Sequence, residues 1–309
     1  MDTTAIASTL LRLYALIGLS TCSGMIIVKR LPPPMTGWVA QFLFWVGAPL
    51  SVIAFVTTAD LTGNISLAPL VAWLGMGLGV GLAYLWLWYA PAKSRGTAGS
   101  FILATMVGNT GFMGYPIAFS LVGAEHFSWA LFYDLLGSLF ISFIAGIALA
   151  ASFSEKVYSH KQRLWHILRN PTLWCLGLGL VLRQFSLPQW FLQGLVTLAW
   201  GLLILGLVYI GMCLGRSRQS RQWPQILPCL TIKMILVPLI IGMGLTLLGV
   251  DPEPRLGIVL QSGMPPAFMT LVLSEVYDLD RPFIASVILV SFGFLVVLLP
   301  VWVFLFPLT

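Results

Sequence analysis

The sequence predicts an all-α polytopic membrane protein: ten transmembrane helices forming a 5+5 inverted repeat, with the fourth and ninth helices broken and crossing. Three observations lead to this fold class. First, 59% of the 309 residues are hydrophobic and only 8% charged, with a mean hydropathy of +0.96. A soluble domain carries about a quarter charged residues, and no soluble core absorbs this much apolar surface. Second, the apolar residues fall into ten stretches near the ~20 residues that cross a bilayer. Third, breaks of similar chemistry, "GNTGFMGYP" and "QSGMPPAF", interrupt the fourth and the ninth of those stretches.

The expected spans run over 5–28, 38–58, 66–90, 97–121, 126–151, 171–187, 190–214, 226–249, 254–277 and 282–307. The opening "MDTTAIASTLLRLYALIGL" has no basic leader and no small-residue cleavage site, so it reads as a first span. The sixth span is the shortest. The longest linker, 152–171, is basic and amphipathic. It separates a first five-helix repeat, 1–151, from a second, 172–309.

Lysine and arginine in the loops set the orientation. With the N-terminus outside, the inner loops hold Lys29, Arg30, Lys93, Arg95, Lys156, Lys161, Arg163, Arg169, Arg216, Arg218, Arg221 and Arg281, and the outer loops hold only Arg255. This bias places both termini outside the cytoplasm, in a plasma or inner membrane. The "NIS" at Asn64 then reads as a polar outer turn.

Five spans per half make the halves opposite in orientation, which is the arithmetic of an inverted repeat. The breaks fall at the fourth position of each half. Proline removes a backbone donor, and glycine admits conformations that other residues avoid. Freed backbone groups in hydrocarbon are tolerated only where they are buried in protein or line a polar cavity. Two broken spans at equivalent, inverted positions satisfy this by meeting near the midplane, around a shared site. The candidate residues there are Asn109, Thr110, Gly111, Gly114 and Pro116 in the fourth span, and Gln261, Ser262, Gly263, Pro265 and Pro266 in the ninth. Asn109 carries both donors and acceptors, which suits it to bridge a solute and open backbone. Gln261 has an alternative reading, as a cap for the first half-helix. Each broken span offers one positive and one negative half-helix end, so the dipoles alone leave the solute's charge open.

Ionisable groups within spans are functional candidates by default. Asp134 lies eight residues into the fifth span, roughly 12 Å deep at the helical rise. It can pair with a basic group, carry a proton or bind a cation. Lys233 lies seven residues into the eighth span. It can balance Asp134, attract an anion or snorkel. These two are the candidates for ion coupling or charge balance. Arg12, Arg183 and Glu275 fall near span ends and read as interfacial.

Several function classes find no support in the residues. The net charge of +6 is scattered in short clusters, which gives no nucleic-acid footprint. Cys22, Cys175, Cys213 and Cys229 sit in apolar runs without metal-ligand spacing, and His126, His160 and His166 show none either. No metal site and no cofactor is expected. "GNTGFMG" lacks the Lys-Ser/Thr of a phosphate-binding loop. An intramembrane enzyme needs a nucleophile with its base, or clustered acidic ligands, and a sensor needs an output domain; neither is evident. The tryptophans, Trp38, Trp45, Trp86, Trp88, Trp190 and Trp223 among them, fit an aromatic belt.

The chain resembles the auxin efflux carrier family, the PIN-like transporters. "GNTGFMGYP" is similar to that family's fourth-span motif in Asn109, Gly114 and Pro116, and "MPPAFMTLVLSEVYDLD" to its ninth-span motif in Pro265 and Tyr277. "ALFYDLLGSLF", "LRNPTLWCLGLGLVL" and "TIKMILVPLI" resemble the fifth, sixth and eighth spans, with Asp134, Pro171, Lys233 and Pro238. The seventh span, "AWGLLILGLVYIGM", lacks a proline common in the family, and the last span has only Ser291 of a polar cluster. The short linker is similar to that of prokaryotic members. The resemblance implies ten spans, a scaffold domain, a transport domain holding the crossover, organic-anion substrates such as small carboxylates, and homodimers. Together the breaks and the resemblance predict a secondary transporter of small organic anions, not an enzyme, working by alternating access in the lipid bilayer. The alternative is a sodium- or proton-coupled transporter of another solute.

Overall fold

A computed structural model of the chain describes residues 3–61, 64–154 and 171–308. The described residues form eleven helices: α1 (Thr3–Ile27), α2 (Pro34–Thr58), α3 (Leu67–Tyr89), α4 (Arg95–Met106), α5 (Gly114–Phe153), α6 (Pro171–Leu182), α7 (Gln189–Arg216), α8 (Trp223–Leu247), α9 (Pro252–Ser262), α10 (Phe268–Val276) and α11 (Arg281–Leu305). No strand occurs among them; the one extended pairing is an isolated antiparallel bridge between Gly108 and Pro266. The basic linker, with Lys156, Lys161, Arg163, Arg169, His160 and His166, lies outside the described residues for all of these positions.

Seven of the helices are long and apolar enough to cross a membrane: α1, α2, α3, α5, α7, α8 and α11. Their outward faces carry large apolar side chains such as Leu11, Leu19, Trp88 and Phe304, which lipid accepts and water does not. Three expected spans are not single long helices. The fourth stops at Met106 and resumes at Gly114. Counted together, α5 has 40 residues, about 60 Å at the helical rise, but it is two helices that meet at a kink between the expected fourth and fifth spans. It turns at Gly123, whose φ of 78° and ψ of 172° suit a residue without a Cβ. The ninth is divided into α9 and α10. The sixth, α6, has only 12 residues; just past its end, Arg183 donates to the carbonyls of Val56 and Ala59 at the C-terminus of α2. A cation there complements the negative helix end.

The helix starts follow local rules. Ser94 accepts the Thr97 N–H at the start of α4, and Asp280 accepts the Phe283 N–H at the start of α11. Prolines stand in the first turns of α2, α8, α9 and α11, where the missing donor costs nothing. Helices α1 and α7 approach closely: a Cβ at Gly24 or Gly211 would collide with the facing backbone. The main apolar core is centred on Phe101 and Phe283, which stack 6.3 Å apart between α4 and α11.

Among the described residues, four π-helical turns interrupt the α-helices, at Leu43–Gly47, Tyr133–Leu139, Ser142–Gly146 and Ile232–Leu236. Two of them carry the two candidate ionisable residues: Asp134 lies in the second and Lys233 in the fourth. A π turn widens the ladder and frees carbonyls. In the Tyr133–Leu139 turn the Leu136 carbonyl accepts the indole N–H of Trp73 from α3.

Candidate functional site

The two interruptions face each other. The Asn109 N–H donates to the Pro265 carbonyl at 2.7 Å, and the Ala267 N–H donates to the Val107 carbonyl at 2.9 Å. These bonds flank the bridge between Gly108 and Pro266. Each break therefore supplies the partners that the other has lost, which is what hydrocarbon surroundings demand. Pro265 and Pro266 stand within the second break as expected. Pro116 does not make the first break. It lies in the first turn of α5, where a missing N–H removes no helical bond. The irregular backbone lies upstream, at 107–113.

Asn109 closes a small loop as well. Its carbonyl accepts the Gly114 N–H at 3.1 Å, and the Tyr115 N–H reaches back to the Gly111 carbonyl at 3.2 Å. The Asn109 side chain is buried, yet among the described residues its amide has no hydrogen-bond partner. The Thr110 hydroxyl donates its one proton to Asp134 and lies 3.4 Å from the Gly108 carbonyl.

Asp134, 6% exposed, accepts from one hydroxyl of the first break and one from the first turn of α5. Thr110 donates to Oδ1, and Tyr115 donates to Oδ2 at 2.6 Å. Sequence reasoning passes over Tyr115, though it stands between Gly114 and Pro116 in the motif. Its ring packs edge-on against Phe55 and Phe127, so the hydroxyl is aimed by packing.

Lys233, 4% exposed, donates to the Ser262 carbonyl at 3.2 Å. It also lies against Gly108, where an added Cβ would stand 3.1 Å from Nζ. Its ammonium has three donors, of which the described residues take one. Asp134 and Lys233 form no ion pair with each other: one holds Thr110 and the other reaches Ser262 beside Gly108. Glu275 pairs with Arg281 at 3.3 Å on the exposed surface, as an interfacial residue would.

Gln261 is fully buried and does not cap its own helix. Its Nε2 donates to the Ala130 carbonyl of α5 at 3.2 Å, and its Oε1 has no partner among the described residues. Its amide lies flat against Gly114, where any Cβ would collide with it. The glycine is thus required by close approach. Ser262 turns back to the Val259 carbonyl. Gly263 caps α9 and touches the indole of Trp302, whose N–H is also unpartnered among the described residues. Gly111 faces Asp134 Oδ2.

Charge also organises the chain at a distance from the breaks. Asp280 accepts from Thr97 and Gln222 and exchanges hydrogen bonds with Ser100, tying together the starts of α4, α8 and α11. Its place before Arg-Pro is a helix-cap signature, readable in "DLDRPF". A cavity of about 360 Å³ lined by Asp60, Asn64, Glu125, His126 and Asp251 contains none of the candidate residues at the breaks.

A family model described as membrane transport protein matches residues 9–303. The chain belongs to the membrane transport protein family. This is the auxin efflux carrier family that the break motifs resemble, and it makes the chain an integral membrane transporter embedded in a lipid bilayer. Two relatives are archaeal, consistent with a prokaryotic member. An uncharacterised transporter of Methanocaldococcus jannaschii is 29% identical over 210 residues, covering 66% of this chain and 67% of the relative. An uncharacterised transporter of Methanothermobacter thermautotrophicus is 26% identical over 268 residues, covering 83% and 84%.

Proposed function

We propose that this transporter carries small organic anions, carboxylates foremost, by alternating access, and binds them at the two facing breaks. The observation that carries this reading is a pair of polar residues at the first break, both little exposed: Asn109, whose amide makes no hydrogen bond to the described residues, and Lys233, whose ammonium makes one and lies against Gly108. A buried ammonium with one acceptor is costly unless something completes its shell. An anion does so, and the Asn109 amide supplies directional hydrogen bonds. Thr110, Gly111, Gly114 and Pro116, with Gln261, Ser262, Gly263, Pro265 and Pro266, form the backbone frame of this site.

Asp134 is the coupling candidate in the same reading. A carboxylate that lacks a neighbouring cation and is held by two hydroxyls is a natural place for a proton or a sodium ion to come and go. The facing breaks at 107–113 and 263–267 support an inverted repeat of 1–151 and 172–309, in which the broken fourth and ninth spans cross. The lysine and arginine bias supports a plasma-membrane protein with both termini outside the cytoplasm, and the family resemblance supports a homodimer.

Uptake into proteoliposomes tests the reading. The panel includes indole-3-acetate, malate and malonate, with and without proton or sodium gradients. Saturable uptake of at least one carboxylate is expected, weakened at least tenfold in Asn109→Ala and in Lys233→Met. Uptake of none of them under any gradient contradicts the substrate class.

A further inference from the structure

One turn of α7 touches the first break and the first residue of α10, just past the second. Phe112, three residues past Asn109, presses its ring onto Gly206 so closely that a Cβ there would overlap the ring atoms. Phe268, three residues past Pro265, meets Tyr209 edge-on with ring centroids 4.8 Å apart. Gly206 and Tyr209 are three residues apart on a continuous helix and so share a face. Phe112 also packs against two separate apolar clusters, the main core and the aromatic group of Phe55, Tyr115 and Phe127.

We infer that Gly206 is a positioning residue for Asn109, acting through Phe112. The linkage is short and stiff. Phe112 sits inside the loop closed by the Asn109 carbonyl and the Gly114 N–H. Its ring is hemmed in by the two apolar clusters, so a push from Gly206 is passed to that loop. The Asn109 N–H is in turn anchored to Pro265. A displacement at Gly206 therefore reaches the Asn109 amide within three residues of chain. A glycine is needed on α7 because the ring occupies the space that any side chain would fill; the helix itself would favour alanine. Substrate affinity, more than turnover, depends on this contact, since a shifted amide weakens binding in ground and transition states alike.

This inference rests on Asn109 as a substrate ligand, and its test separates the two ideas. Saturable carboxylate uptake is measured for the wild type, Gly206→Ala, Phe112→Ala and the double variant. In parallel, the rate of maleimide labelling is read at a single cysteine, Asn109→Cys, with Cys22, Cys175, Cys213 and Cys229 replaced. Gly206→Ala is expected to raise KM about fivefold or more with Vmax changed less than twofold, and to shift the labelling rate severalfold. With Phe112→Ala the ring atoms that a methyl at position 206 would meet are gone, so in the double variant both readouts stay within about twofold of Phe112→Ala alone. Phe112→Ala alone, which only removes atoms, is expected to move labelling as well and serves if Gly206→Ala does not fold. A labelling shift that needs the Phe112 ring but no carboxylate uptake upholds the positioning role and sinks the substrate reading. Intact saturable uptake with KM and labelling indifferent to Gly206→Ala, or a Gly206→Ala effect undiminished in the Phe112→Ala background, overturns the positioning role.

Discussion

Asp134 and Lys233 grip the same short stretch of broken backbone from its two ends. Lys233 lies against Gly108, and Asp134 holds Thr110 and faces Gly111. Both are buried, both stand on π-helical turns, and they make no ion pair with each other. An acidic and a basic side chain are thus both at the break, and neither is spent on the other.

Replacement of Asp134 by asparagine keeps the shape and removes the charge. If the carboxylate exchanges a proton or sodium ion with transport, Asp134→Asn abolishes the dependence of uptake on that gradient while counterflow of substrate persists. Gradient-driven uptake beside counterflow in the same proteoliposomes is the check. A variant that still concentrates substrate against the gradient removes Asp134 from coupling.

Tyr115→Phe isolates one hydroxyl. The ring keeps its contacts with Phe55 and Phe127, but Asp134 Oδ2 loses its donor. Leaving a buried acceptor short costs about 1–3 kcal/mol. A lowered unfolding midpoint in detergent is expected, larger than in a Tyr14→Phe control, whose hydroxyl bonds the Val296 carbonyl at an exposed site. Equal effects would mean that the Asp134 contact carries no special weight.

Gly114→Ala places a methyl group against the Gln261 amide. Overpacking of a buried contact costs about 1–3 kcal/mol. Because the clash has one identified partner, Gln261→Ala in the same chain is expected to recover most of the lost thermal stability. Purely additive losses in the double variant would show that the clash lies elsewhere.

Much of the site was legible because backbone chemistry announces itself. Glycine and proline at 108–116 and 263–266 mark where a helix fails, and only a partner for the freed groups lets it fail inside a membrane. Hydrophobicity likewise marks where most helices run. The gap expected between the fourth and fifth spans holds the kink at Gly123, where two helices meet without an intervening loop. The limits of patterning are geometric. It counts Pro116 among the residues of the break, whereas a proline in a first turn breaks nothing. The π turns leave no compositional trace. The alternative reading of Gln261 as a cap arises because its partner, the Ala130 carbonyl, lies 131 residues away in sequence. Phe112 and Gly206 look like ordinary span residues, since nothing local ties a ring to a glycine so far downstream.

The most direct measurement is counterflow in proteoliposomes preloaded with an unlabelled carboxylate that the wild type accepts. Wild type and Asn109→Ala are reconstituted at equal protein density, with labelled carboxylate outside. The expected result is saturable, trans-stimulated accumulation in the wild type and its loss in Asn109→Ala, with the variant's unfolding midpoint little changed. Undiminished exchange in Asn109→Ala would contradict the central claim that the facing breaks bind the transported anion.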